Sequence, residues 1–88
     1  MKMARIYELR QKEIINIKDG LRMGFVADVE IDDESGEIEA LIVPGPAKVF
    51  GMFGREQEYV IPWDAIKRVG DDIILVDIDT KDCVQEYE

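Results

Sequence analysis

Carboxylates are the side chains of this 88-residue chain that come closest to doing chemistry. Asp28, Glu30 and Asp32 recur at alternate positions. Asp32, Asp33 and Glu34 crowd the turn that follows, and Asp77, Asp79 and Asp82 make a second set. Such rows offer the hard oxygen ligands that a divalent cation takes, but calcium needs several oxygens converging on a tight loop, and no EF-hand spacing is present. Alternate acids along a strand are more simply its solvated face, where they also deter edge-to-edge aggregation. A cationic protein surface is a better use for the same charge. Acid–base catalysis by a carboxylate pair would require a pocket that drives their pKa values apart, and nothing in the sequence suggests a cleft.

The other reactive types are few. Cys83 is the one cysteine, and the chain has no histidine. It lies in a polar C-terminal segment and reads as an incidental surface thiol. A disulfide within the chain is impossible, and a reducing compartment fits. The stretch Pro44 to Glu58 (PGPAKVFGMFGREQE) is long for a connection in so small a chain, and such loops are usually functional or mobile. It sets Val49, Phe50, Met52 and Phe53 among Gly45, Gly51 and Gly54. Those apolar side chains either form an adaptable contact surface or fold over the core and complete it. Gly51 and Gly54 also match the glycine pair of some nucleic-acid loops, but the Met-Phe spacer has little basic flank. Lys48 does not follow a glycine at a helix start, so there is no phosphate-cradling pattern. Trp63 beside Pro62 is either a stacking platform for a ligand or, the preferred reading, a side chain packed across one end of the fold.

Composition narrows the partners. The chain carries 20 acidic and 11 basic side chains, a formal charge of −9. Nucleic-acid affinity rests largely on Lys and Arg neutralising phosphates, so direct nucleic-acid binding is disfavoured, and an anionic membrane surface is disfavoured for the same reason. A basic protein patch is the natural complement. No cofactor is expected. The N-terminal MKMARIYEL lacks the uninterrupted apolar run of a signal peptide, and nothing approaches the length of a membrane span, so a cytoplasmic location is expected.

These residues must be positioned by strands. Ile6 to Lys12 has the spacing of one short helical turn, and Glu13 to Ile17 reads as a strand closed by Lys18-Asp19-Gly20. After Met23-Gly24, alternation predicts Phe25, Ala27, Val29 and Ile31 on a core, with Asp28, Glu30 and Asp32 in water. Gly36 suits a hairpin end. The return strand Glu37 to Val43 puts Ile38, Ala40 and Ile42 on one face and Leu41 and Val43 on the other, so its far end is expected to be covered on both sides. Strands resume at Tyr59 to Ile61, Ile66 to Val69 and Asp72 to Ile78, with Gly70-Asp71 as a two-residue loop. The expectation is an all-β chain: a small closed or partly open antiparallel barrel of about six strands in meander order. Residues 1–88 read as a single domain with its core at about 9–78, and the polar tail 79–88 is expected to fray. A barrel this small is normally filled by side chains, which disfavours an enzyme.

The runs GFVADVEIDDESGEIEALIV (Gly24 to Val43) and YVIPWDAIKRVGDDIILV (Tyr59 to Val76) resemble the PRC-barrel family. This is the small β-barrel named for the cytoplasmic domain of the photosynthetic reaction-centre H subunit and found in a ribosome-maturation factor. The glycine-and-phenylalanine loop and the IPW corner are most similar to its sporulation-protein branch, labelled YlmC/YmxH. The pattern would place a glycine where Gln11 stands, so the first turn departs from it. The resemblance implies a non-enzymatic domain that docks on partner proteins, in the ribosome factor a ribosomal protein. Val49, Phe50, Met52 and Phe53 are the candidate apolar contacts, and Asp28, Glu30 and Asp32 the charged ones. Two alternatives stay open: a small-ligand or divalent-metal regulatory domain, and a ribosome- or RNA-associated assembly factor acting through a basic protein. Self-association is a further possibility for a small barrel with an apolar loop.

Overall fold

A computed structural model of the chain describes residues 5–45 and 56–87. It begins with a single helical turn, α1 (Ile6–Leu9). The Glu8 carboxylate accepts the Arg5 N–H at 3.0 Å, which caps the turn and buries Leu9 against the core. Gln11 and Lys12 donate their N–H groups back to Glu8 and Leu9, at 3.1 and 3.2 Å. The turn therefore closes with Gln11 in the position where a glycine was expected.

Eight strands follow in two four-stranded sheets. The first sheet contains β1 (Glu13–Asn16), β2 (Arg22–Phe25), β6 (Ile66–Val69) and β7 (Ile73–Val76), in the order β2-β1-β7-β6. The second contains β3 (Asp28–Ile31), β4 (Ile38–Pro44), β5 (Glu56–Pro62) and β8 (Val84–Tyr87), in the order β3-β4-β5-β8. A 3-10 turn, Trp63–Ala65, joins β5 to β6, and a second helical turn, α2 (Thr80–Cys83), precedes β8.

Period-two burial explains how the sheets face each other. Ile14, Ile74 and Val76 point inward from the first sheet, and Leu41, Val43 and Ile61 from the second, all fully buried. Met23, Val26, Tyr59, Ile78 and Leu9 complete one continuous core. In β4 the outer face is covered too: Ala40 and Ile42 are buried along with Leu41 and Val43, as the sequence predicts. The expected hairpin at Gly36 is present. The turn between β6 and β7 is present too, but the Gly70 N–H on the Ile73 carbonyl at 2.8 Å makes Asp71-Asp72 the two-residue connection instead of Gly70-Asp71.

Four expectations change. The barrel is built of two sheets that hydrogen bonds do not join, with eight strands instead of about six. The segment from Met23 to Asp32 is two strands. Gly24, at φ +99°, sits inside β2 where its register against β1 slips, and Val26 is buried where the chain passes from one sheet to the other. Phe25, Ala27 and Ile31 are consequently exposed, and of the predicted inward set only Val29 packs on the core. The meander is broken by one parallel pair, β1 with β7, from Glu13↔Ile73 to Asn16↔Val76. Finally, residues expected to fray form α2 and β8, and β8 pairs antiparallel with β5 from Glu56↔Tyr87 to Tyr59↔Val84.

Asn16 makes the parallel pair possible. It is the buried polar side chain of the core, with no exposed surface. Its Nδ2 donates to the Ile78 carbonyl at 2.9 Å, and its Oδ1 accepts the Ile78 N–H at 3.1 Å and the Lys18 N–H at 3.3 Å. The side-chain amide thus imitates one more backbone pair and satisfies both polar groups of a buried residue just past β7. Nearby, Arg22 forms a two-point pair with the Glu13 carboxylate across β1 and β2, at 2.7 and 3.2 Å. That hydrogen bond, with the guanidinium charge, holds the Glu13 pKa below its ordinary value. Asn16→Ala leaves the Ile78 N–H and C=O buried without partners. The expected loss is about 2–6 kcal/mol in urea unfolding, since each of the two orphaned groups costs about 1–3 kcal/mol.

Candidate functional site

The longest excursion in the chain rises from the hairpin of β4 and β5. These strands stay in register from Ala40↔Pro62 to Pro44↔Glu58, and the Gly45 N–H continues the ladder to the Gln57 carbonyl at 2.8 Å. Gly45 stands so close to β5 that a Cβ there would lie 2.7 Å from the Gln57 carbonyl carbon and oxygen. The pairing therefore needs glycine at the foot of the excursion. Val49, Phe50, Met52 and Phe53 lie outside the described residues.

The three alternate acids do not share one environment. Asp28 and Glu30 are exposed on the edge strand β3, opposite Ile42 and Ala40. The register then slips between Glu30 and Ile31, and Asp32 enters the turn half-buried. Its Oδ1 accepts the Glu34 N–H at 2.9 Å and that of Ser35 at 3.5 Å, while its own N–H donates to the Glu37 carbonyl at 2.8 Å. Asp32 is thus an Asx-type turn residue. The slip that separates it from Asp28 and Glu30 leaves no mark in a pattern of alternating residue types. Asp77, Asp79 and Asp82 follow β7 through to α2. Among the described residues no three acidic, cysteine or histidine side chains are grouped to hold a metal ion.

Two other singled-out side chains are placed differently from expectation. Trp63 does not pack across an end of the fold. It is 40% exposed and borders a groove between α1 and the turn joining β6 to β7. No local pattern announces this groove, because its walls are far apart in the chain. Cys83 is half-buried at the end of α2 and packs against the core. Burial, followed by the charges of Asp82 and Asp79, pushes its thiol pKa up.

With this geometry in view, similarity to known proteins is informative. The sequence matches the PRC-barrel domain over residues 1–82. The chain belongs to the PRC-barrel family. It is 42% identical over 74 residues to a "Probable sporulation protein YlmC" of Bacillus subtilis, covering 84% of this chain and 91% of that protein. YmxH of the same organism, an "Uncharacterized protein", is 37% identical over 76 residues, covering 84% of this chain and 88% of its own. An uncharacterized protein of Clostridium acetobutylicum is 35% identical over 74 residues, 84% of each chain. The resemblance carried by the Gly24–Val43 and Tyr59–Val76 runs is therefore correct at the level of family and branch. The PRC-barrel match ends at residue 82, so β8 lies beyond it. No helix among the described residues is long and apolar enough to cross a membrane.

Two outcomes are expected. Gly45→Ala forces the foot of the hairpin apart; by the cost of overpacking it loses about 1–3 kcal/mol in urea unfolding, and amide exchange quickens first at Gly45. For Cys83, a raised pKa means less thiolate at any pH below it. Alkylation by iodoacetamide at pH 8 is expected to run slower than for glutathione, and to speed up in Asp82→Asn.

Proposed function

We propose that the chain is a non-enzymatic protein-binding module, acting in the cytoplasm in a sporulation-related setting. It docks a basic partner through the 44–58 excursion and the acidic strand face beside it. The observation that carries this reading is an unbalanced charge. Between Met23 and Gly45 the sequence has seven carboxylates, from Asp28 to Glu39, and no lysine or arginine. The ion pair found among the described residues, Glu13 with Arg22, belongs to the other sheet.

Uncompensated carboxylates on an exposed edge favour a cationic partner and speed its encounter. The apolar residues of the excursion would then supply the anchors that charge alone does not, since a few large buried side chains carry most interface energy. The name of the YlmC relative supports the sporulation setting.

The test is affinity capture from a sporulating Bacillus culture, followed by binding measurements with each purified partner. Phe50→Ser with Phe53→Ser is expected to weaken the partner by about tenfold or more through lost anchors. Asp28→Lys with Glu30→Lys is expected to slow association and remove its salt dependence. Partners retained unchanged by both variants, with melting temperatures intact, would refute the docking surface.

A further inference from the structure

The groove beside Trp63 lies on a different surface. It has a volume of about 680 Å³, within the range of about 300–1,000 Å³ typical of ligand sites. Ile6, Leu9, Ile38, Trp63 and Val69 provide its apolar wall. Ile6, Trp63 and Val69 are each 40–42% exposed, and they come from α1, the 3-10 turn and β6. Three large apolar side chains from remote segments converge on one concavity. Single exposed apolar residues are ordinary on a protein surface, whereas a clustered set marks an interaction site.

The groove is held open by contacts across the chain. Lys12 Nζ donates to the Gly70 carbonyl, and the Glu13 N–H donates to the Asp72 carbonyl at 3.0 Å. The end of α1 is thereby fixed to the turn between β6 and β7. This arrangement also determines the charge at the rim. Lys12 is the cation of the lining and is engaged with Gly70; Asp71 offers a carboxylate, as does Glu8, one oxygen of which also accepts the Arg5 N–H. Asp64, Asp72, Arg5 and Arg10 are exposed nearby in the chain but do not line the groove. Lys67 and Arg68 of β6 do not line the groove.

We infer that this groove binds an exposed segment of a partner protein that pairs one apolar anchor with a neighbouring lysine or arginine. The anchor enters between Ile6, Ile38 and Val69. The cation lies over the Trp63 ring, the best aromatic face for it, and pairs with Asp71 and Glu8. Charge selects this occupant: the lining holds two carboxylates, Glu8 and Asp71, against one cation, Lys12, on a chain of net charge −9, so a basic segment is complemented and an acidic one is not. The inference does not depend on the 44–58 excursion.

A random decapeptide library displayed on phage is panned against the intact chain. Selected sequences are synthesised and titrated, with the fluorescence of Trp63, the single tryptophan, as the direct readout. The expected consensus is an aliphatic or aromatic residue within three positions of Lys or Arg, with saturable binding that shifts Trp63 emission to the blue. Asp71→Lys, at an exposed turn position, is expected to weaken these peptides by about tenfold, as does Trp63→Ala measured by calorimetry. Phe50→Ser with Phe53→Ser leaves them bound, which separates this groove from the docking surface proposed above. Enrichment of acidic or uncharged sequences, enrichment equal on Asp71→Lys, or no saturable peptide at all would overturn the assignment.

Discussion

The parallel pairing of β1 with β7 is the constraint on which the architecture turns. It joins segments at opposite ends of the chain, with Asn16 and Ile78 lying 62 positions apart. Closing so long a loop costs entropy that local hairpins avoid. Four fully buried inward residues (Ile14, Asn16, Ile74 and Val76) repay that cost within one strand pair. Asn16 extends the pair beyond the last strand residue, because its amide presents a donor and an acceptor in the same spacing as a peptide group. A hydrophobic residue there would pack equally well but strand the polar groups of Ile78. A buried asparagine in an otherwise apolar core thus determines where β7 ends and how the chain leaves the first sheet.

That exit determines the second sheet. After Ile78 the chain crosses, makes α2, and lays β8 along β5, so β5 gains a neighbour on each side. What remains exposed are four edges with different protection. β2 and β6 carry Arg22, Lys67 and Arg68, and β3 carries Asp28 and Glu30. Charged residues on edges deter unplanned strand addition. The sign differs by edge: Arg22, Lys67 and Arg68 mark the two edge strands of the first sheet, and acids dominate β3 and the turn after it. Like-charged strands are thereby kept from adding to β3.

Much of this was legible in the sequence, and the failures share a physical cause. Local signals read correctly: Gly36 at its hairpin, the turn between β6 and β7 to within a residue, the helical turn at Ile6, and the two-sided burial of β4. Each is decided by residues within a few positions of one another. The break at Val26 was invisible because Phe25, Ala27, Val29 and Ile31 preserve perfect alternation across it, while Gly24 and the slip at Ile31 change which face they meet. The parallel pair and β8 are non-local, and VQEY has too little apolar character to announce a strand. The candidate site divides in the same way. Asp28 and Glu30 were legible as an exposed pair, Asp32 enters the turn instead of sharing their strand face, and the groove was missed because Ile6, Ile38, Trp63 and Val69 meet only in the folded chain.

β4 links the two candidate surfaces. Its first residue, Ile38, lines the groove, and its last, Pro44, begins the excursion. Seven extended residues separate the two by about 20 Å at the usual strand rise. Ala40 to Val43 are buried on both faces of the strand, whereas Glu39 and Pro44 near its ends are exposed. A close-packed middle resists displacement, so β4 sets the distance between the groove and the foot of the excursion.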